Sequence, residues 1–174
     1  MGRFRADKGI HSMTNEAMFV HLGLRHWNRH IDRASKFFGG LSEEALQREL
    51  APGKNRLIYI WGHLTAVNDA LLPLLGFGPR LHPELDTMFV KNPDRAVEPI
   101  LSGAVVRRCW TGINEALSTH FQALTPAQWL DRHMSVSEAD FAREPHRNRF
   151  NVLLDRIGHM AEHFGQAILV EPRQ

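Results

Sequence analysis

Apolar residues recur along this chain at intervals of three and four, the spacing that places them on one face of an α-helix. The pattern is strongest in four stretches, which cover residues 15–38, 56–75, 99–124 and 148–169. No stretch shows the alternation of apolar and polar residues that is typical of a half-buried strand. We therefore expect an all-α protein with four long helices, each about 30 Å long.

Residues that start and stop helices separate the four stretches. Gly39-Gly40 is expected to end the first helix, and Ser42 to cap a short helix that follows it. Asn55 is expected to cap the second long helix, and Pro73 to kink or end it. That second helix has apolar residues on most sides and is expected to be the most buried. Thr125-Pro126 places a capping residue before a proline at the first helical position, which is a typical helix start.

The connection between the second and third helices decides the topology. It runs from about residue 76 to 98 and contains Gly78-Pro79, His82-Pro83 and Asn92-Pro93, which makes it long for a helix–helix connection. A segment of this length can return along the bundle, so that the second and third helices run in the same direction. We therefore predict a four-helix bundle with up-down-down-up order and a long crossover. A simple up-down bundle with a large loop at one end is the alternative.

Composition indicates a soluble protein with one domain. The chain has 174 residues, of which 43% are hydrophobic and 23% charged. No run approaches the roughly 18 apolar residues that are needed to span a membrane. The basic segment 1–11 lacks the apolar run of a signal peptide, so we expect a cytoplasmic protein. We predict a flexible N-terminal extension at residues 1–11 and a single helical bundle domain at residues 12–174.

Charge and cysteine content narrow the function classes. The net charge of +2 is too small to predict nucleic-acid binding by itself. Cys109 is the only cysteine, which excludes an internal disulfide framework and a zinc–thiolate cluster. Its place in the apolar stripe of the third helix predicts a small core residue.

Histidine is the residue type whose number stands out, because the chain has 11. His159 and His163 are one helical turn apart in the last helix, so both side chains leave the same face. That spacing allows two imidazoles to hold one metal ion, and His63 is the best candidate for a third ligand. His63 lies on the wide apolar face of the second helix. A metal ion and a backbone or carboxylate acceptor would satisfy its two ring nitrogens there.

The spacing alone does not separate this group from its rivals. His26 and His30 form a pair with the same spacing in the first helix, although two neighbouring arginines disfavour a dication there. His120 lies on the apolar side of the third helix and is another candidate. His63 taken by itself also fits a hydrogen-bonded core histidine. No special role is expected for the histidines in loops or on polar faces, which are His11, His21, His82, His133 and His146.

Two motifs together resemble the DinB/YfiT-like superfamily. The first is Trp61-Gly-His63-Leu64 in the second helix. The second is His159-x-x-x-His163-Phe-Gly-Gln166 in the last helix, which is similar to the H-x-x-x-H-x-G-Q signature of that family. The order of the motifs and the Pro- and Gly-containing loop between them also fit. The resemblance covers residues from about 14 to 170.

This resemblance implies a four-helix bundle in the crossed order, a homodimer, and a metal site formed by His63, His159 and His163. It also implies a small-molecule substrate. Characterised members of the family include transferases and isomerases that use low-molecular-weight thiols such as bacillithiol, mycothiol or glutathione. The family name comes from DNA-damage inducibility and does not imply DNA binding, so neither nucleic acid nor a membrane is an expected partner.

Three neutral imidazoles would leave coordination positions of a divalent ion open, as in catalytic rather than structural sites. Zinc or nickel suits nitrogen ligands best, and iron, manganese and cobalt are the other candidates. An open position can activate water or hold a thiol as its nucleophilic thiolate, and the resemblance favours the thiolate. We therefore expect a metal-dependent transferase or isomerase. The alternative is a non-catalytic bundle whose histidines bind metal for stability or sensing, or are only packed.

Other polar residues near the last motif have open roles. Asp155 precedes His159 by about one turn and is a candidate to orient a ligand or transfer a proton, as is Glu162. Gln166 is a candidate for a hydrogen bond to a ligand. A solvated surface position is the alternative for each of the three. The basic run 143–149 either attracts an anionic thiol or, as we expect, forms a solvated rim.

Overall fold

The computed structural model describes residues 13–170, which form helices connected by loops. The four long helices are α1 (Asn15–Gly40), α3 (Leu57–Asp69), α6 (Gly103–Ala123) and α9 (Arg149–Ala167). Short helices lie between them: α2 (Glu43–Leu46), α4 (Leu71–Leu74), α5 (Leu85–Phe89), α7 (Pro126–Trp129) and α8 (Glu138–Arg143). No β-strand occurs between residues 13 and 170, so the all-α prediction is confirmed for this range.

The predictions about the ends of the chain and about membrane-spanning segments are compared with the structure as follows. The predicted flexible extension at residues 1–11 lies outside the described range, and the single domain at residues 12–174 stays a prediction. α9 ends at Ala167, two residues before the end expected from the sequence. In the part of the chain that is described, no helix combines the length and the apolar character needed to cross a membrane.

α1 begins where the sequence predicted but continues through both glycines. Thr14 caps it, and its hydroxyl accepts the backbone N–H of Ala17 at 3.2 Å. The helix ends at Gly40, two residues after the end at Phe38 that the sequence predicted, and the N–H of the C-cap residue Leu41 donates to the carbonyl of Phe38. Phe38 is fully buried. Its packing keeps the glycine pair helical despite the weak helix propensity of glycine.

The start of α3 is capped from a distant part of the chain rather than by Asn55. The N-cap is Arg56, and its own side chain makes no capping hydrogen bond. The carboxylate of Asp94 accepts the backbone N–H of Arg56 at 2.7 Å and also binds its guanidinium. Because these partners are 38 residues apart in sequence, the local pattern around Asn55 could not reveal this cap.

The second predicted helix is divided into two helices. α3 ends at Asp69 and α4 begins at Leu71. Pro73 explains the division, because proline has no N–H for the carbonyl four residues earlier and its ring clashes with that carbonyl. The carbonyl in question belongs to Asp69, the last residue of α3. The expected interruption by Pro73 is therefore confirmed, at a position one turn before the proline.

α3 is the most buried of the long helices, as its sequence predicted. Eleven of its 13 residues are buried. Phe38 of α1 stacks on Trp61 of α3 with 5.6 Å between ring centroids, which joins the two helices. In α9, helical periodicity places Leu154 on the apolar face, but Leu154 is 45% exposed and Met160 is buried.

Side-chain contacts between the long helices pair particular positions. Two contacts join α1 to α6 and two join α3 to α6: Trp27 with Phe121, Ser35 with Trp110, Trp61 with Arg107, and Asn68 with Asn114. Along α1 and α6 the partners follow each other in opposite order. Along α3 and α6 they follow in the same order. The complete up-down-down-up order of the bundle stays a prediction, which we take up below.

The crossover from α4 to α6 contains α5, a helix that the sequence analysis did not predict. Asp69 anchors the start of the crossover from a fully buried position. Its carboxylate accepts the backbone N–H groups of Leu81 and His82 at 2.9 and 3.0 Å, and the guanidinium of Arg80 donates to it at 3.0 Å. These contacts hold the segment before α5 against α3. They help to position Phe89, the last residue of α5, beside the histidine of α3.

Candidate metal centre

Three histidine side chains meet where α3 and α9 contact each other. His63 comes from α3, and His159 and His163 come from α9. The Nε2 atom of His159 lies 3.2 Å from that of His63 and 3.1 Å from that of His163. The ligand atoms of the three residues all lie within 4.8 Å of one another, and each side chain is half-buried. The structure therefore brings together the three histidines that the sequence singled out.

A hydrogen bond to the backbone of α5 orients His63. Its Nδ1–H donates to the carbonyl oxygen of Phe89 at 2.8 Å. Since a carbonyl only accepts, the proton lies on Nδ1 and the Nε2 lone pair is directed at the other two imidazoles. Metal-binding histidines are commonly oriented in this way, with the second nitrogen bound to an acceptor. The sequence analysis expected such an acceptor but could not name the carbonyl.

Gly62 allows α5 to approach α3 at this point. A Cβ atom at position 62 would overlap three ring atoms of Phe89, a residue that is fully buried. The space beside Gly62 is thus filled by the ring of Phe89. The same residue supplies the carbonyl that holds His63, so the glycine acts on the site through the packing of α5.

We expect Gly62→Ala to lower the free energy of unfolding by about 1 kcal/mol, measured by urea denaturation. Overpacking of a buried site costs about 1–3 kcal/mol. Alanine recovers up to about 1 kcal/mol of helix propensity, which offsets only part of that cost. Gly112→Ala in α6 is the matched control, because no atom lies within 4 Å of a Cβ built there.

Gly112→Ala should instead stabilise the protein by about 0.5–1 kcal/mol. A Gly62→Ala variant that gains as much stability as Gly112→Ala would show that the contact with Phe89 does not constrain α3.

Burial keeps the imidazoles in their neutral, ligand-ready form. Burial, followed by the nearby imidazole of His163, lowers the pKa of His159 to about 4. Burial also lowers the pKa of His63, although the hydrogen bond to Phe89 acts in the opposite direction. The pKa of His163 is lowered by burial and by His63. Neutral imidazoles have lone pairs to offer, so near neutral pH no proton has to be displaced from His159 before it can bind a metal ion.

The donor set fits a divalent metal ion. The Nε2 atom of His159 lies just over 3 Å from those of His63 and His163, so a cation placed between the three nitrogens would accept their lone pairs. Nitrogen ligands of this kind suit zinc and nickel. The Nδ1 atoms of His159 and His163 are buried and have no hydrogen-bond partner. His63, by contrast, has a hydrogen bond of 2.8 Å to the carbonyl of Phe89 on its second nitrogen.

The rival histidines lie outside this group. His26 is exposed, and His30 is half-buried with a buried Nδ1 atom that has no hydrogen-bond partner. His120 stacks on Phe77 with 4.6 Å between ring centroids and nearly parallel planes. In the described part of the chain, neither His26, His30 nor His120 belongs to a group of three or more metal-ligand side chains.

The other polar candidates lie at the margin of the site. Asp155 is exposed and accepts a hydrogen bond from Asn151 at 3.3 Å, with no hydrogen bond to the three histidines. Glu162 and Gln166 are exposed, and both act to raise the pKa of His163. Cys109 is buried, and burial raises the pKa of its thiol, in agreement with the expected role as a core residue.

One charged residue near the site was missed by the sequence analysis. Arg156 lies three residues before His159 on α9, and its charge lowers the pKa of both His63 and His159. Its spacing from His159 and His163, which puts all three residues on one face of α9, is the sequence feature that would have identified it. An arginine on a helix is usually assigned to solvent, and Arg156 is half-buried instead.

Comparison with known protein families assigns the chain to a superfamily. The family model of the DinB superfamily matches residues 26–167. The chain belongs to the DinB superfamily. The matched range includes His63, His159 and His163, so the resemblance drawn from the two histidine motifs is confirmed at the level of the family.

The DinB fold of this chain is also found in a solved structure with little sequence similarity. That structure is the crystal structure of a conserved protein from Enterococcus faecalis, which is 13% identical. The alignment has a TM-score of 0.60 and covers 87% of this chain and 94% of that chain. At this identity the likeness concerns the fold alone. No curated protein matches the sequence of this DinB protein.

Proposed function

We propose that this protein is a divalent-metal-dependent enzyme, a transferase or isomerase that uses a low-molecular-weight thiol. The metal site would be formed by His63, His159 and His163. The observation that carries the proposal is the convergence of their three ligand nitrogens within 4.8 Å of one another. Membership of the DinB superfamily supports it, because characterised members of the family include transferases and isomerases that use thiols as cosubstrates.

The chemistry follows from an incomplete set of protein ligands. A bound zinc or nickel ion would take the thiol sulfur at an open position and hold it as the nucleophilic thiolate. The three imidazoles would hold the ion and leave that position free. The carbonyl of Phe89 would keep His63 in the tautomer that presents Nε2. The low pKa of His159 would keep that ligand available near neutral pH.

We also propose the up-down-down-up order of the four long helices and a homodimeric, cytoplasmic protein. The contacts of α6 support this order. Successive contacts run in the same chain direction along α3 and α6, as in parallel helices, and in opposite directions along α1 and α6, as in antiparallel helices. This order would place α3 next to α9, and the histidines of these two helices are in contact. The homodimer rests on the family resemblance, and size-exclusion chromatography with light scattering tests it.

A conjugation assay on metal-loaded protein tests the proposed activity. Zinc- or nickel-loaded protein is mixed with bacillithiol, mycothiol or glutathione and with the electrophile 1-chloro-2,4-dinitrobenzene, and the conjugate is quantified by mass spectrometry. We expect conjugation with at least one thiol to exceed the rate without protein, and to be lost in His163→Ala. Protein that binds no metal contradicts the proposal. If the protein binds metal stoichiometrically but neither coordinates nor conjugates a thiol, the result supports the alternative of a non-catalytic metal-binding bundle.

A further inference from the structure

We propose that Arg156 binds a carboxylate of the ligand beside the three-histidine site, so that the cosubstrate is an anionic thiol. This inference rests on the proposed function and adds the substrate class at the same site. Arg156 lies three residues before His159 and seven before His163 on α9. Those intervals place the three side chains along one face of the helix. A ligand that reaches the imidazoles therefore passes next to the guanidinium.

Arg156 is half-buried, but its guanidinium forms no ion pair with a described carboxylate. Its Nε atom is buried and has no hydrogen-bond partner. Among residues 13–170 no carboxylate forms an ion pair with Arg156; the adjacent Asp155 accepts a hydrogen bond from Asn151. Burial lowers the pKa of Arg156, and the charge of Asp155 offsets that effect only in part. A cation that is partly removed from water and unpaired is unfavourable. An anionic group on a bound ligand would remove that cost.

The neighbouring arginines differ from Arg156 in this respect. Each arginine of the basic run 143–149 has an acidic partner: Arg143 pairs with Asp140, Arg147 with Glu144, and Arg149 with Asp131. Arg149 also donates to the backbone carbonyls of Leu75 and Gln128. The run is therefore engaged in contacts within the protein. Arg143 is exposed, as expected for a solvated rim, whereas Arg149 is largely buried. Arg156 is the better placed cation for a ligand at the histidines.

The charge balance of the site points to the same class of ligand. The charge of Arg156 lowers the pKa of both His63 and His159, in keeping with its position one turn before His159 on the same face of α9. A divalent ion held by the imidazoles would add two positive charges next to it. A thiolate on the metal and a carboxylate on the guanidinium would offset two of these three positive charges. The planar fork of arginine matches the two oxygens of a carboxylate, which makes such pairs strong and directional.

Cobalt-loaded protein and two thiols of nearly identical shape test this inference. The probes are 3-mercaptopropionate and its neutral amide, 3-mercaptopropionamide, and the readout is the thiolate-to-cobalt absorption band. We expect the wild-type protein to bind the carboxylate probe about 10–100-fold more tightly than the amide, the ratio that a charged hydrogen bond contributes. Arg156→Gln should bring the ratio of dissociation constants close to one. Arg156→Lys, which lacks the planar fork, should leave an intermediate ratio.

Arg108→Gln on α6 is the control, because it removes the same charge from an exposed position and should leave the ratio unchanged. Equal ratios in the wild type and Arg156→Gln overturn the inference and leave the thiol site standing. Absence of the band with both thiols in the wild type contradicts the proposed function, and the inference falls with it. If Arg156→Gln does not fold, the ratio in Arg156→Lys decides, and a ratio equal to that of the wild type overturns the inference.

Discussion

Replacing His63, His159 or His163 with alanine is expected to lower the affinity for zinc by on the order of 100-fold or more. Structural zinc in zinc-finger peptides binds with about 10–16 kcal/mol through its full set of ligands. The loss of one ligand of three should therefore exceed the roughly 2.8 kcal/mol that corresponds to 100-fold. The three nitrogens lie within 4.8 Å of one another, so each substitution removes a ligand of the same site.

Three measurements separate loss of the ligand from loss of the fold. Elemental analysis after dialysis gives the zinc content, and competition with a chromophoric chelator gives the affinity. Circular dichroism shows whether the helices are retained. His26→Ala and His120→Ala are the controls, because these histidines lie outside the group, and both variants should keep their zinc. Unchanged zinc in all three ligand variants would contradict the site, and loss in His26→Ala would favour the rival pair in α1.

Replacing Asp69 with alanine is expected to lower the free energy of unfolding by about 3 kcal/mol. Asp69 is fully buried, pairs with Arg80 and accepts the backbone N–H groups of Leu81 and His82. Removal of one member of a buried ion pair costs about 3–5 kcal/mol. We expect the lower end of that range, because Arg80 keeps a second ion pair with Asp86.

Urea denaturation measures this loss, and limited proteolysis locates it. The crossover before α5 should be cleaved faster in Asp69→Ala, because its anchor to α3 is gone. Asp140→Ala is the control: Asp140 pairs with Arg143 at the surface, where an ion pair adds little stability. Equal stability of Asp69→Ala and Asp140→Ala would mean that the buried carboxylate does not hold the crossover.

The sequence determined the helices and the relative placement of the two histidines on α9. Helical periodicity depends only on neighbouring residues, and it located the four long helical stretches, although the second is divided in the structure. The capping residues Ser42 and Thr125 were also located correctly. His159 and His163 lie on one helix, so their separation by one turn already places them on the same face. Pro73 likewise acts on its own helix, and its effect was predictable from the lack of an N–H.

The tertiary structure decided the contacts that join distant parts of the chain. His63 is 96 residues from His159, and only the packing of α3 beside α9 brings their Nε2 atoms to 3.2 Å. Asp94 caps α3 from the crossover, where the sequence pointed to Asn55. Such contacts depend on how helices pack against one another, a property that the period of a single helix does not contain.

The groups that support the site were the least visible in the sequence. The acceptor for His63 is the backbone carbonyl of Phe89, and every residue has such a carbonyl, so no residue type marks it. Arg156 is on the right face of α9, but its burial and its lack of an acidic partner depend on which helices surround it. The residue types and the helical period thus named the three histidines, and the packing of α3, α5 and α9 determined how they are oriented and what charge lies next to them.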